Sequence, residues 1–241
     1  ILQAEISKDP SCPLRGVKCP EMNLKNAAIH SEMYNVKYIL LSSSKAQEMA
    51  ETDPTYRLLN SIPVRGIGSI NIYELKNHDG TYVDVPKNYP VVVMTDDWRK
   101  VSLSWFKDTS KSDVPLVLTD DLDTVQTLGY ATSDEHLQNV SINAINKNCS
   151  INESMGDDSL TFDTSCVGEP HVVKMSYFPN WVVSGAKGPY LLSPSLMLVV
   201  PSQSHVELRF GLTSSDLIGI LLTLIGVSIL LLNIIALQED T

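Results

Sequence analysis

The hydrophobic pattern changes abruptly near the end of the chain. Leu217 to Leu237 reads LIGILLTLIGVSILLLNIIAL, 21 residues with no charged side chain. At about 1.5 Å per residue the run reaches about 30 Å, the hydrocarbon thickness of a bilayer. A buried core helix of this length keeps a polar stripe, whereas this run is apolar all round. It therefore predicts a transmembrane helix and leaves residues 1–216 as a water-soluble body. Gly219, Thr223 and Gly226 put small residues on one broad face. Such a face suits close packing against another membrane helix.

Upstream, short apolar runs alternate with polar ones. Residues 1–24 read as irregular, and Asn26 to Met33 as a short helix. Val36 to Ser42 is β-branched and apolar, which predicts a strand. Ser44 and Glu48 then resemble a capping box opening a helix over Lys45 to Glu51. Asp53-Pro54 ends it, and Thr55 to Leu59 reads as a further helical turn. Ser69 to Leu75 alternates with period two, a half-buried strand, and His78-Asp79-Gly80 makes a turn after it. Pro90 to Met94 predicts a buried strand, Thr95-Asp96-Asp97 a cap, Trp98 to Phe106 an amphipathic helix, and Val114 to Leu118 another strand. Strand, helix and strand in that order give residues 25–130 an α/β character.

From about residue 136 the texture changes. Strand-like runs at Leu160–Asp163, His171–Tyr177, Trp181–Ser184, Leu196–Val200 and Val206–Phe210 are separated by Gly/Pro/Ser turns, Gly185 to Gly188 among them. Short strands at regular spacing predict a β-sandwich. The expected fold class is α+β: an α/β region over 1–130, a β-sandwich module over 131–214, and one transmembrane helix over 215–237.

Charge narrows the function classes. Eighteen Lys and Arg against 28 Asp and Glu leave a net charge of −10, which disfavours nucleic-acid partners. No Lys/Arg cluster flanks the span, so charge sets no orientation. Four cysteines allow three connectivities, of which local pairing, Cys12–Cys19 and Cys149–Cys166, is the simplest. Four unrelated buried thiols are the alternative. The spacings do not match zinc knuckles. Two disulfides would imply an extracytoplasmic compartment. Three sequons, at Asn139, Asn148 and Asn152, cluster in a polar stretch beside Cys149 and read as candidate glycosylation sites.

No catalytic constellation emerges, and no metal site or cofactor is expected. Asp96-Asp97, Asp120-Asp121 and Asp157-Asp158 are adjacent acids whose plain reading is a helix cap and solvated turns. Arg65 to Gly68 has two glycines but opens no helix, which excludes a phosphate loop. The densest feature is aromatic. Tyr177, Phe178, Trp181 and Tyr190 fall close together around Asn180. Exposed aromatics beside an amide stack on sugar rings, so Tyr177, Asn180, Trp181 and Tyr190 are candidate glycan contacts. The competing reading is that Trp181 and Phe178 plug the sandwich core.

The stretches SYFPNW, GAKGPYLLSPSLMLVVPS and VELRFG before an apolar helix resemble the C-terminal end of large multi-pass membrane proteins of archaea and actinobacteria. Those are described as related to 6-pyruvoyl-tetrahydropterin synthase and are similar to the YfhO-like branch of GT-C glycosyltransferases. Tyr34 to Leu40, Ile70 to Leu75, Asp97-Trp-Arg and Trp105 to Leu116 extend the resemblance over most of residues 30–237. It implies sugar transfer from polyprenyl-phosphate carriers outside the cytoplasm. The family's catalytic acids lie in an N-terminal many-helix region outside this sequence, so no catalytic residue carries over. On this reading the chain is the tail of a longer protein: an extracytoplasmic accessory domain with the last span, in a cell membrane. Its partners would be membrane lipid, the parent's upstream helices, and glycan or a polyprenyl-phosphate sugar. The alternative is a stand-alone membrane-anchored surface protein that binds glycan or another protein.

Overall fold

The structure is a computed structural model, and it describes residues 2–7, 20–66, 68–95, 97–129, 131–132, 137 and 140–239. The first unit packs three helices, α1 (Leu2–Ile6), α2 (Leu24–Met33) and α3 (Ser44–Thr52), against an antiparallel sheet. That sheet has β3 (Gly68–Leu75) between β1 (Tyr38–Leu41) and β2 (Tyr56–Val64). Asn23 and Ser43 cap α2 and α3 through their side chains. The inner face buries Ile39, Leu41, Tyr56, Tyr73 and Leu75 against Leu24, Ala27, Ala46 and Ala50. The helical turn expected over Thr55 to Leu59 is instead the start of β2. The run is short and apolar, so periodicity alone leaves it ambiguous. Pairing with β3 across the Arg65-Gly66 turn makes it a strand. β2 accommodates Pro63 because it lies on the sheet edge. Likewise α1 occupies part of the stretch read as irregular.

The second unit is a seven-stranded mixed sheet of β4 (Val83–Asp84), β5 (Val91–Met94), β6 (Leu116–Thr119), β7 (Ala131–Thr132), β10 (His171–Val173), β12 (Ala186–Leu192) and β13 (Leu196–Pro201). Its order is β4-β10-β13-β12-β6-β5-β7. β5 runs parallel to β6 and β7, and the crossovers are α4 (Trp98–Lys107) and α5 (Leu122–Leu128). Val91, Val93, Leu116 and Leu118 pack on Val101 and Trp105 of α4. The alternate residues Val92 and Val117, with Leu192 and Leu198, pack on Val125 and Leu128 of α5 and on Tyr34. Strands from both sides of residue 130 share this sheet. The boundary drawn there does not separate two sheets.

A four-stranded antiparallel sheet completes a β-sandwich. It comprises β8 (Ile151–Met155), β9 (Ser159–Thr164), β11 (Trp181–Ser184) and β14 (His205–Phe210), ordered β11-β14-β9-β8. Leu160, Phe162, Val206 and Leu208 face Val83, Val173, Met197 and Val199 across the core. Two predicted loops turn out to be strands. The polar run at 151–155 pairs as edge strand β8. Its Glu153 carboxylate accepts the Tyr82 and Val83 N–H groups (2.8 and 2.7 Å), joining the two sheets at one edge. The turn expected at Gly185–Gly188 shrinks to Gly185, with β12 following at once. Gly185 has φ +76° and a Cβ there would strike the His205 carbonyl, so only glycine makes this corner.

Helix α6 (Ser214–Glu239) leaves the end of β14 after three residues. It is long and apolar enough to cross a membrane, and no residue of its 214–231 segment is buried.

Candidate functional site at the base of the membrane helix

Where α6 meets the sandwich, polar groups form a closed set. Thr213 Oγ1 accepts the Asp216 N–H (3.3 Å), and the Asp216 carboxylate accepts the Thr213 N–H and hydroxyl (both 2.7 Å). This reciprocal cap satisfies donors that a helix N-terminus otherwise leaves open. Asn180 then clamps the cap to the body. Its Nδ2 donates to the Gly211 carbonyl and to Asp216 Oδ2, both at 2.8 Å. Its own carbonyl accepts the Gly211 N–H at 2.9 Å. The helix thus leaves the sandwich through a latch of six hydrogen bonds rather than a loose linker.

An aromatic cluster surrounds the latch. Trp181 meets Phe210 edge-on (5.3 Å between centroids), and Phe178 lies 5.9 Å from Phe210. Of the predicted glycan contacts, the structure brings only Asn180 and Trp181 to this place. Tyr177 packs on the sandwich core, as Trp181 does in part. Tyr190 packs among Leu192, Leu198 and Val172 on the opposite side of the seven-stranded sheet. The four residues do not form one sugar-stacking platform. Phe178, expected in the core as the alternative, is exposed. Period-two alternation across β11 and β12 could have separated Trp181 from Tyr190, but the turn between them hid the register.

A cleft of about 360 Å³ lies between α2, the end of α4 and the seven-stranded sheet. Its ammonium groups are already engaged: Lys174 with Asp84 (2.6 Å) and Asp79 (3.4 Å), Lys87 with Asp113 (2.9 Å), Lys111 with Asp108 (3.2 Å). The Asp113 hydrogen bond holds the Lys87 ammonium above its ordinary range. His30 is part of the wall, buried and stacked on Phe106 (3.7 Å). Its Nε2–H donates to the Phe106 carbonyl (2.8 Å), while Nδ1 meets Glu5 Oε2 at 2.7 Å. A carbonyl only accepts, so Nε2 carries its hydrogen and one further proton is shared between Nδ1 and the carboxyl. Both ring nitrogens are occupied. His30 is therefore a structural joint between α1, α2 and α4 and has no nitrogen left for acid–base chemistry. Tyr34 extends the joint: its hydroxyl bonds Ser195, and burial pushes its pKa up to about 12.

The remaining candidates resolve one by one. Cys149 and Cys166 form a disulfide with Cα atoms 5.5 Å apart. Cys12, Cys19, Asp96 and the sequon residue Asn139 lie outside the described residues. Asn148 and Asn152 are exposed, Asn152 on edge strand β8. Asp97 and Asp121 cap α4 and α5, and the Thr124 hydroxyl bond holds the Asp121 carboxyl low. Asp157 and Asp158 form the exposed β8–β9 turn. Among the described residues, no three His, Cys, Asp or Glu converge as metal ligands.

Sequence reasoning missed one buried polar network. His171 Nδ1–H donates to the Glu169 carbonyl (2.9 Å), so Nε2 accepts the Thr164 hydroxyl (2.8 Å). Thr164 in turn accepts the Cys166 N–H (3.1 Å). Burial pushes the His171 pKa down and keeps the ring neutral. Nearby, the Lys147 ion pair, aided by the Tyr89 hydroxyl, holds the Glu169 carboxyl below the usual range.

No known family model, curated protein or solved structure matches the chain. The geometry alone describes a sandwich body latched to an apolar helix, with its polar networks spent on structure.

Proposed function

We propose that this chain is an extracytoplasmic module on a membrane helix. It serves as the accessory domain and last span of a GT-C-like membrane glycosyltransferase that builds cell-surface glycan from lipid-linked sugars. The observation that carries this reading is the Asn180–Gly211–Asp216 latch. A helix bonded to the body at its first turn transmits the position of one to the other. That suits a domain that must hold a fixed pose above a membrane-embedded active centre. The Cys149–Cys166 disulfide and the exposed sequons at Asn148 and Asn152 support an oxidising, external location. The small-residue face of α6 suits packing on neighbouring helices. The role is positional: chemistry on the sugar phosphate belongs to acids outside this chain.

Deleting the coding segment for residues 1–241 in the native organism tests the reading. The expected result is truncated or missing surface glycan, with membrane integrity preserved. Unaltered glycan overturns the glycosyltransferase role. Protease added to intact cells tests the side: the body should be digested, and complete protection overturns the extracytoplasmic location.

A further inference from the structure

The base of the sandwich carries an apolar surface that none of the described residues covers. Phe178, Val182, Phe210 and Leu212 are 43–66 % exposed. They come from the β10–β11 connection, from β11, from the end of β14 and from the link to α6. Isolated exposed apolar residues are ordinary, but a contiguous group ringed by polar residues marks a contact surface. Phe178 and Phe210 gather with Trp181 at the point where the helix emerges, Leu212 follows in the link, and Val182, paired with Arg209, lies on the outer face of the same strand end.

The latch sets where this surface lies. Only Gly211, Leu212 and Thr213 separate β14 from α6. Three residues span at most about 10 Å. Ser214 to Leu217 adds about 5 Å of helix before the uncharged run begins. The headgroup layer on each side of the hydrocarbon is itself about 5–8 Å thick. The Asn180–Asp216 bond takes up this reach, because it holds the body against the residue that immediately precedes the uncharged run, so the base of the sandwich lies within the depth of the headgroup layer. Its exposed apolar residues Phe210 and Leu212 lead directly into the exposed apolar residues of the helix, from Leu217 onward.

We infer that Phe178, Trp181, Val182, Phe210 and Leu212 form a collar seated in the headgroup layer of the lipid bilayer, so that the body rests in the membrane surface. The inference depends on the membrane anchoring proposed above. Aromatic rings suit this depth, since their faces are apolar and an indole N–H still reaches water. Charge selects the lipid class. The exposed Asp157 and Asp158 lie beside the collar, where the Phe210 N–H donates to the Asp158 carbonyl (2.8 Å), and Asp216 is in the latch. Arg209 is the cation on the same strand end. Anionic headgroups would be repelled by this acidic rim, so the collar suits zwitterionic phosphatidylcholine or phosphatidylethanolamine.

The full chain reconstituted in phosphatidylcholine vesicles provides the test. Lipids brominated near the headgroup should quench part of the tryptophan emission, and Trp181→Phe should abolish that part. Admixing anionic phosphatidylglycerol should reduce it. Leu224→Trp reports the helix separately, because lipids brominated near the bilayer centre quench it when the span is inserted. Quenching at Leu224→Trp with none at Trp181 overturns the collar and leaves the anchor standing. Absence of quenching at both positions overturns the anchor and, with it, the collar. A Trp181→Phe variant with an altered melting profile is replaced by Phe178→Ser, for which the expected result is a loss of Trp181 quenching; unchanged quenching in a folded Phe178→Ser protein overturns the role of that ring.

Discussion

Two polar joints hold this molecule's parts together, and they are built on opposite principles. The Glu5–His30–Phe106 joint is sealed: both side chains of the pair are 1 % exposed, and Glu5 Oε1 has no hydrogen-bond partner among the described residues. The Asn180–Asp216 latch is half-open, and its central acceptor, Asp216 Oδ2, is shared among three donors, Asn180 Nδ2 and the Thr213 N–H and hydroxyl. The sealed joint has no substitute for a lost partner, because water cannot reach it. The open latch can replace a lost bond with water. The first therefore governs whether the N-terminal unit stays on the main sheet, and the second governs the direction of the helix more than the stability of the fold.

The sharpest way to break this comparison is to remove one side of the sealed joint. His30→Leu leaves the Glu5 carboxyl buried without its partner and should cost about 3–5 kcal/mol. Denaturant unfolding in detergent measures it. The double variant Glu5→Leu/His30→Leu should recover most of the loss, and a double variant as unstable as the single would show that the joint is not a coupled pair. Next in size is the disulfide, which closes a 17-residue separation. Cys149→Ser with Cys166→Ser should lower stability by about 3 kcal/mol, an effect that reduction of the native protein should reproduce.

A pH titration sharpens the contrast further. His171 has a lowered pKa in the folded protein, so the unfolded chain binds more protons as pH falls. Its contribution is complete above the unfolded value of about 6.5 and is lost progressively below it. Glu169, also held low, loses its contribution at more acid pH, below about 4.3. Melting temperature should therefore decline in two stages on acidification, and His171→Gln should flatten the first. A decline unchanged in that variant would place the first stage elsewhere. The smallest effect on stability belongs to the latch: Asn180→Ala should cost about 1 kcal/mol. Its larger consequence should be a broadened distance distribution between spin labels on the body and on α6. A narrow distribution in the variant would mean that the Thr213–Asp216 cap alone orients the helix.

Much of this architecture was legible beforehand. The apolar run at the C-terminus, the alternation in β3, β9 and β14, and the Asp97 cap before α4 follow from local physics: periodicity, capping and the absence of charge. The elements read differently, β2, β8 and β12, share one property. Each is a strand whose own sequence is ambiguous and whose partner, β3, β9 or β13, supplies the missing bonds. The candidate site was half legible. Aromatic density around Asn180 pointed to the right neighbourhood, but Tyr190 belongs to another face, and Asp216 and Thr213 carried no signal until the helix start was placed against Gly211.

By itself, then, the sequence determined which segments are strands and helices wherever the pattern was strong. It also determined that one helix is apolar on every side and that Cys149 and Cys166 are within reach of one another along the chain. Those are consequences of residues a few positions apart. Only the tertiary structure decided that strands on both sides of residue 130 share one sheet, that His30 meets Glu5 and Phe106, and that Asn180 grips Asp216. Such contacts join residues 25 to 76 positions apart. Hydrogen-bond chemistry permits many partners for each, and packing selects one.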